Sequence, residues 1–155
     1  MSFFSIWIDA DSCPSPVKDL VIRFCKRLNL NCFFVANRAL SIPKASNFKM
    51  IVTEATKDAA DNYIVENCSN DDIVITRDIL LAERLLNKNI TTINDRGLTF
   101  SQENIKEKLS MRNFNLELFE CGLVGDKTSS FGKKEINDFA NCFDREIQKK
   151  LKKYN

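Results

Sequence analysis

Two aspartates, Asp9 and Asp11, stand one residue apart directly after the apolar run Phe3-Phe4-Ser5-Ile6-Trp7-Ile8. Other acids occupy comparable places. Asp78 follows the run "DIVIT" (72–76) with only Arg77 between, and Asp95 follows "ITTI" (90–93). Asp58 and Asp61 lie three apart at the start of a helical stretch, a spacing that shares one helix face. Clustered carboxylates repel one another, and isolated burial forces protonation. They persist as anions most easily around a divalent cation, and an all-oxygen donor set suits Mg2+ or Mn2+. One or two such ions activate a water and stabilise a leaving oxygen, which is the chemistry of phosphodiester cleavage.

Composition narrows the alternatives. The chain has no histidine. That removes Ser-His-Asp and Cys-His catalysis and every zinc site that needs imidazole. The six cysteines (Cys13, Cys25, Cys32, Cys68, Cys121 and Cys142) include no C-x-x-C pair, so a zinc ribbon is not expected. Several fall on apolar faces, as small buried hydrophobes do. No signal-peptide pattern heads the chain, and no apolar run approaches the roughly 18 residues of a membrane span. Reduced thiols, a cytoplasmic location and no membrane partner are therefore expected. A net charge of +2 gives no strong bulk attraction to nucleic acid or membrane. At 155 residues the chain fits a single domain, residues 1–155, with a real core.

The elements that must position the acids are readable from periodicity. Residues 3–8, 31–36, 48–52, 72–76 and 90–93 read as strands. Ile73, Val74 and Ile75 are consecutive and β-branched, which suits a strand buried on both faces of a parallel sheet. Helices are expected after Pro16, over 58–68 and over 78–88. The order strand-helix-strand-strand-helix-strand-helix-strand points to an α/β sheet covered on both faces. C-terminal helices follow from about residue 101. Ser101 caps a segment with Ile105 and Leu109, a second covers 113–121 before Gly122, and a last one carries Ile136, Phe139, Phe143 and Ile147. Residues 125–132 read as a loop. An apolar helix stripe of this kind faces either the core or a second copy of the chain, and the sequence does not choose between them.

Sites in open α/β sheets form beyond the carboxyl ends of the strands. Parallel neighbouring strands would bring Asp9, Asp11, Asp61 and Asp78 to one edge. Plainer roles compete with this. On position alone, capping explains Asp58 and Asp78 as well as chemistry does. Asp71 and Asp72 read as a turn before a strand. Capping does not explain two carboxylates at the end of an apolar strand, so Asp9 carries the most weight. Lys18, Arg38, Arg77 and Arg96 could contact phosphate, although each alone reads as solvated surface charge. The basic tail "DREIQKKLKKYN" suits the end of an exposed helix better than a nucleic-acid contact.

The ordered motifs "IWIDADSCPSPVKDL", "FVANRAL", "DAADNYIV", "DIVITRDILLAERLL", "NDRG", "NIKEKLSMR" and "FANCFDRE" resemble the bacterial YaiI/YqxD family over residues 5–148. That family is grouped with PIN-like domains. The resemblance implies a PIN-like three-layer α/β/α sandwich with a mainly parallel central sheet. It also implies an acidic Mg2+ or Mn2+ site that cleaves RNA or single-stranded nucleic acid. Under it Asp9, Asp61 and Asp78 match the metal-binding aspartates, and Thr76 with Asp78 matches the Thr-x-Asp after the fourth strand. Asp11 and Asp58 fit the family's own pattern as further ligands. The PIN glutamate of the first helix has no counterpart here, where Asp19 is the only acid.

Three functions stay open at this stage. The first is a nuclease with catalytic Asp9, Asp11, Asp61 and Asp78, with Thr76, Arg38 and Lys18 on substrate and Asp58 as an added ligand. The second is a haloacid-dehalogenase-type phosphohydrolase that uses the Asp-x-Asp of "DADSC" with Asp9 as nucleophile. The third is a PIN-like scaffold that holds metal or RNA without cutting.

Overall fold

The computed structural model describes residues 4–56, 58–122 and 131–153. Phe3 and most of the loop expected over 125–132 lie outside them. Five strands form one sheet in the order β3-β2-β1-β4-β5: β1 (Ser5–Asp9), β2 (Asn31–Ala36), β3 (Phe48–Val52), β4 (Ile73–Ile75) and β5 (Thr91–Ile93). Every pairing is parallel. The helices are α1 (Ser15–Leu28), α2 (Ala59–Asn67), α3 (Ile79–Leu86), α4 (Gln102–Glu120) and α5 (Lys133–Lys153). Together they make a three-layer α/β/α sandwich.

Strand alternation divides the core between the two faces. Ile6 and Ile8 of β1 join Phe34, Ile75 and Ile93 on one face, under Val17, Val21 and Cys25 of α1 and Phe139, Phe143 and Ile147 of α5. Trp7, Val35 and Val74 point to the other face, under Ile64 of α2 and Leu81 and Leu85 of α3. The inner strand β4, between β1 and β5, is buried along its whole length, as its three β-branched residues imply. Fully burying each such side chain contributes roughly 1.5–3 kcal/mol.

Two expectations are corrected. The first strand starts at Ser5 and ends on Asp9 itself, whose register partner is Val35 of β2. The two helices expected over 101–121 are one. Between Leu109 and Asn113 the chain has no glycine or proline to break it, and the first αL glycine is Gly122 (φ 77°). Ser101 and Asn104 form a reciprocal cap at the start of α4.

Asp72 does more than turn the chain. Its buried carboxylate accepts from Ser5 N (2.8 Å), Trp7 Nε1 (2.9 Å) and Ser69 N (2.9 Å), fixing the amino ends of β1 and β4 together. At the opposite edge, the turn after β5 is held by Asn94 Oδ1, which accepts from Arg96 N and Leu98 N, both 2.9 Å. Gly97 in this turn has φ 86°, and a Cβ there would meet the backbone of Asp138 in α5. Gly97→Ala therefore combines an αL penalty with a backbone clash and should cost at least about 2 kcal/mol. For a chain of this size that is a fall of roughly 4–8 °C in melting temperature, readable by thermal denaturation. An unchanged melting temperature would refute the packing described for this turn.

Candidate active site

β1 and β4 are parallel neighbours, so their carboxyl ends open on the same edge. Asp9, the last residue of β1, is 8% exposed. Its Oδ2 accepts a hydrogen bond from Thr76 Oγ1 at 2.8 Å. The Thr76 hydroxyl in turn accepts from Asp78 N at 3.0 Å. Thr76 is itself buried, so this one hydroxyl fixes both the Asp9 carboxylate and the start of α3. Asp78 is the N-cap of α3, and its Oδ1 accepts from Leu80 N (2.9 Å) and Leu81 N (3.3 Å). Capping and site geometry are here the same arrangement. Asp11 is exposed, and both its oxygens accept from Asn37 N, at 3.1 and 3.3 Å. That bond ties the loop after β1 to the loop after β2.

An open cleft of about 250 Å3 is lined by Asp9, Asp11, Ser12, Asn37, Ala55, Thr56, Ala60, Asp61 and Asp78. It gathers four of the five acids named from sequence. Asp58, the fifth, precedes α2 as an exposed N-cap residue with no side-chain capping bond, and it does not line the cleft. The aspartate with even claims to capping or chemistry thus splits two ways: Asp78 caps α3, whereas Asp58 does not cap α2 through its side chain. Arg38 is exposed beside Asn37 but outside the lining. Lys18 also lies outside it, near enough to Cys13 to favour that thiolate.

Charge dominates the cleft. Asp61 is pushed up to about 7, first by burial and then by the charges of Asp78 and Asp9. The proximity of the Asp78 carboxyl adds to this, and among the described residues Arg84 opposes it. Asp9 is raised by burial and by Asp78 and Asp11, against the Thr76 hydrogen bond. The donor set is therefore oxygen-only and short of positive charge, which fits a hard divalent cation in type and charge. As the side chains stand, no three acidic or thiol groups among the described residues converge on one ion.

Sequence reasoning placed Asp95 after a strand but left it out of the cluster. Asp95 lies behind Asp9, 5% exposed, and its Oδ2 has no hydrogen-bond partner. It lines a cavity of about 10 Å3 with Asp9, Ser12, Cys13, Ile75, Thr76 and Arg77. That is room for about one water. Its position after β5 was the available signal, but the strand-end rule alone does not separate cleft from interior. Cys13 in this cavity is pushed up to about 12, chiefly by burial, so it stays a thiol and is no nucleophile at neutral pH.

The raised Asp61 makes a prediction with a definite sign. Its folded value lies above its unfolded one, so between about pH 4 and 7 the folded state holds the extra proton. This contribution to stability is complete below the unfolded value and is lost as pH rises through about 7. Asp61→Asn should flatten that decline in urea titrations across the window. A wild-type decline that persists in full in the variant would sink the assignment.

The chain can now be set beside known proteins. A UPF0178 protein of Treponema denticola is 48% identical, covering 95% of this chain and 94% of that protein. UPF0178 proteins of Syntrophobacter fumaroxidans and Treponema pallidum are each 41% identical, covering 95% and 96% of this chain and 96% and 84% of their own. No solved structure matches significantly. The family model described as "Uncharacterized BCR, YaiI/YqxD family" matches residues 7–149, a span that holds every cleft residue, and the chain belongs to that family.

Proposed function

We propose that the cleft hydrolyses phosphodiester bonds of RNA or single-stranded nucleic acid with Mg2+ or Mn2+ held by Asp9, Asp61 and Asp78. The observation that carries this reading is the convergence of these acids at the carboxyl edge of β1 and β4. There burial, and then the charges of Asp78 and Asp9, lift Asp61 to about 7. Such a group exchanges its proton for a metal at modest cost near neutral pH. The ion, when bound, supplies an activated water and charge for the leaving oxygen.

The chain's own residues do the rest. Thr76 orients Asp9 by holding its Oδ2. The α3 cap holds one Asp78 oxygen, leaving the other for Asp61 or an ion. Asp11, held at the rim by Asn37 N, orients the attacking water. Exposed Arg38, next to Asn37, receives a substrate phosphate. Asp58 takes no part.

One observation favours binding without cutting. The lining of the cleft includes nothing from α1, and Asp19 is exposed elsewhere, so the first helix contributes no carboxylate. Cleavage of end-labelled single-stranded RNA and DNA in Mn2+, beside an EDTA control, separates the readings. Cutting that falls at least ~10²-fold in Asp78→Asn supports the nuclease. Metal-dependent RNA binding without turnover supports the scaffold.

A second measurement does not depend on activity. Mg2+ or Mn2+ should raise the melting temperature of the wild type at neutral pH and leave Asp78→Asn nearly unmoved. Equal shifts in both proteins would place the ion elsewhere.

A further inference from the structure

Among the described residues, one buried side-chain oxygen has no hydrogen-bond partner, Asp95 Oδ2. Asp95 follows β5, outside the lining of the open cleft, and only 5% of it is exposed. An acceptor left unpaired away from water is costly, so an orphan of this kind calls for a donor. The walls of the cavity of about 10 Å3 beside it supply none. Thr76 gives its hydroxyl proton to Asp9 Oδ2 at 2.8 Å. The Cys13 thiol is directed at Pro14 O, 3.7 Å away, and Arg77 Nη1 at Ser12 O, 3.4 Å away. The donor must then come from outside the chain, and the space admits one of water size.

We propose that this cavity holds one ordered water that donates to Asp95 Oδ2 and to the Asp9 carboxylate, which makes Asp95 a positioning residue for Asp9. Size and partners both select water. Asp9 and Asp95 border the same water-sized space, so a single molecule there lies against both. A water has two protons for the two carboxyl groups, and its oxygen can accept from Cys13, whose thiol burial keeps protonated. About three partners is usual for a buried water. The charges of Asp95 and Asp9 both act on that thiol, as they must if the three groups surround one point. Asp95 is a firm base for the contact, because Asn94 Oδ1 holds its turn through Arg96 N and Leu98 N. Asp9 is then held twice, by Thr76 on Oδ2 and by the water from the side of β5.

A high-resolution crystal structure of the full chain tests the water directly. Density for one water should lie within hydrogen-bond reach of Asp95 Oδ2 and of an Asp9 oxygen. A dry cavity, a protein donor on Asp95 Oδ2, or a metal ion in that space would each overturn the proposal, whether or not any variant folds. Positioning is read in two variants. Asp95→Leu keeps the branching and replaces both oxygens with methyl groups, so the water should be lost and Asp9 should leave its 2.8 Å contact with Thr76 or take a second conformer. Asp95→Asn keeps an acceptor and should keep both. An Asp9 unmoved in folded Asp95→Leu would overturn the positioning role. The consequence for an ion rests on the reaction proposed above. Mn2+ titrated by electron paramagnetic resonance should bind Asp95→Leu at least about tenfold more weakly than wild type. Mn2+ binding lost in Asp78→Asn but unchanged in Asp95→Leu would overturn the positioning role and spare that reaction. Mn2+ that fails to bind the wild type would overturn the reaction, and the density then decides this inference by itself.

Discussion

The hydrogen bond from Thr76 to Asp9 joins the two strands on which the cleft depends. Asp9 ends β1 and Thr76 follows β4 directly, so the contact is made 67 residues apart in sequence. It is available only because β1 and β4 pair in parallel with Ile8 opposite Ile75. A slip of one residue would turn Asp9 and Thr76 to opposite faces. The same hydroxyl accepts from Asp78 N, so the start of α3 is set by the strand register as well. At the far edge, Asp72 makes the matching tie between β1 and the turn before β4. Two buried polar side chains, one at each edge, thus lock the register that the apolar core alone would hold less specifically.

That frame imposes an electrostatic constraint. Asp9, Asp61 and Asp78 are brought together, and among the described residues Arg84 is the positive charge that opposes the rise of Asp61. The cost falls on Asp61, whose carboxyl is pushed up to about 7 by burial and by its neighbours. Asp95 adds a further buried carboxyl behind Asp9, with one oxygen unsatisfied. Removing one of the like charges by substitution would relieve this repulsion. Cys13 fits the same picture from the other side: apolar burial and nearby acids keep its thiol protonated, so it contributes volume and no charge.

Much of this was readable from the chain. Ile73-Val74-Ile75 announced a strand covered on both faces, and the apolar run before Asp9 announced the first strand, whose Ile6 and Ile8 face one layer and Trp7 the other. Strand ends then located Asp9, Asp11 and Asp78, and a helix start located Asp61. What failed was whatever depended on tertiary context. Asp58 and Asp61 look equivalent in sequence, yet the single turn between them puts one in the cleft and leaves the other in solvent. Asp95 shares the strand-end signal with Asp9 but lines a separate small cavity, and the turn it belongs to folds back on α5 through Gly97. A break was expected within α4, between the segment capped by Ser101 and the one starting at Asn113. With no glycine or proline present the helix simply continues and carries its apolar residues into solvent.

The absence of histidine gives the carboxyl pair its importance. A histidine would titrate near neutral pH without help from its surroundings. Here the same range is reached by Asp61, whose ordinary value of 3.8 is lifted by burial and by two like charges. Under the proposed reaction, a divalent cation at the cleft would compete with the proton on Asp61, and its affinity would rise with pH as Asp61 ionises. The register of β1 and β4, which sets Asp9 and Asp78 beside Asp61, is what would couple the two.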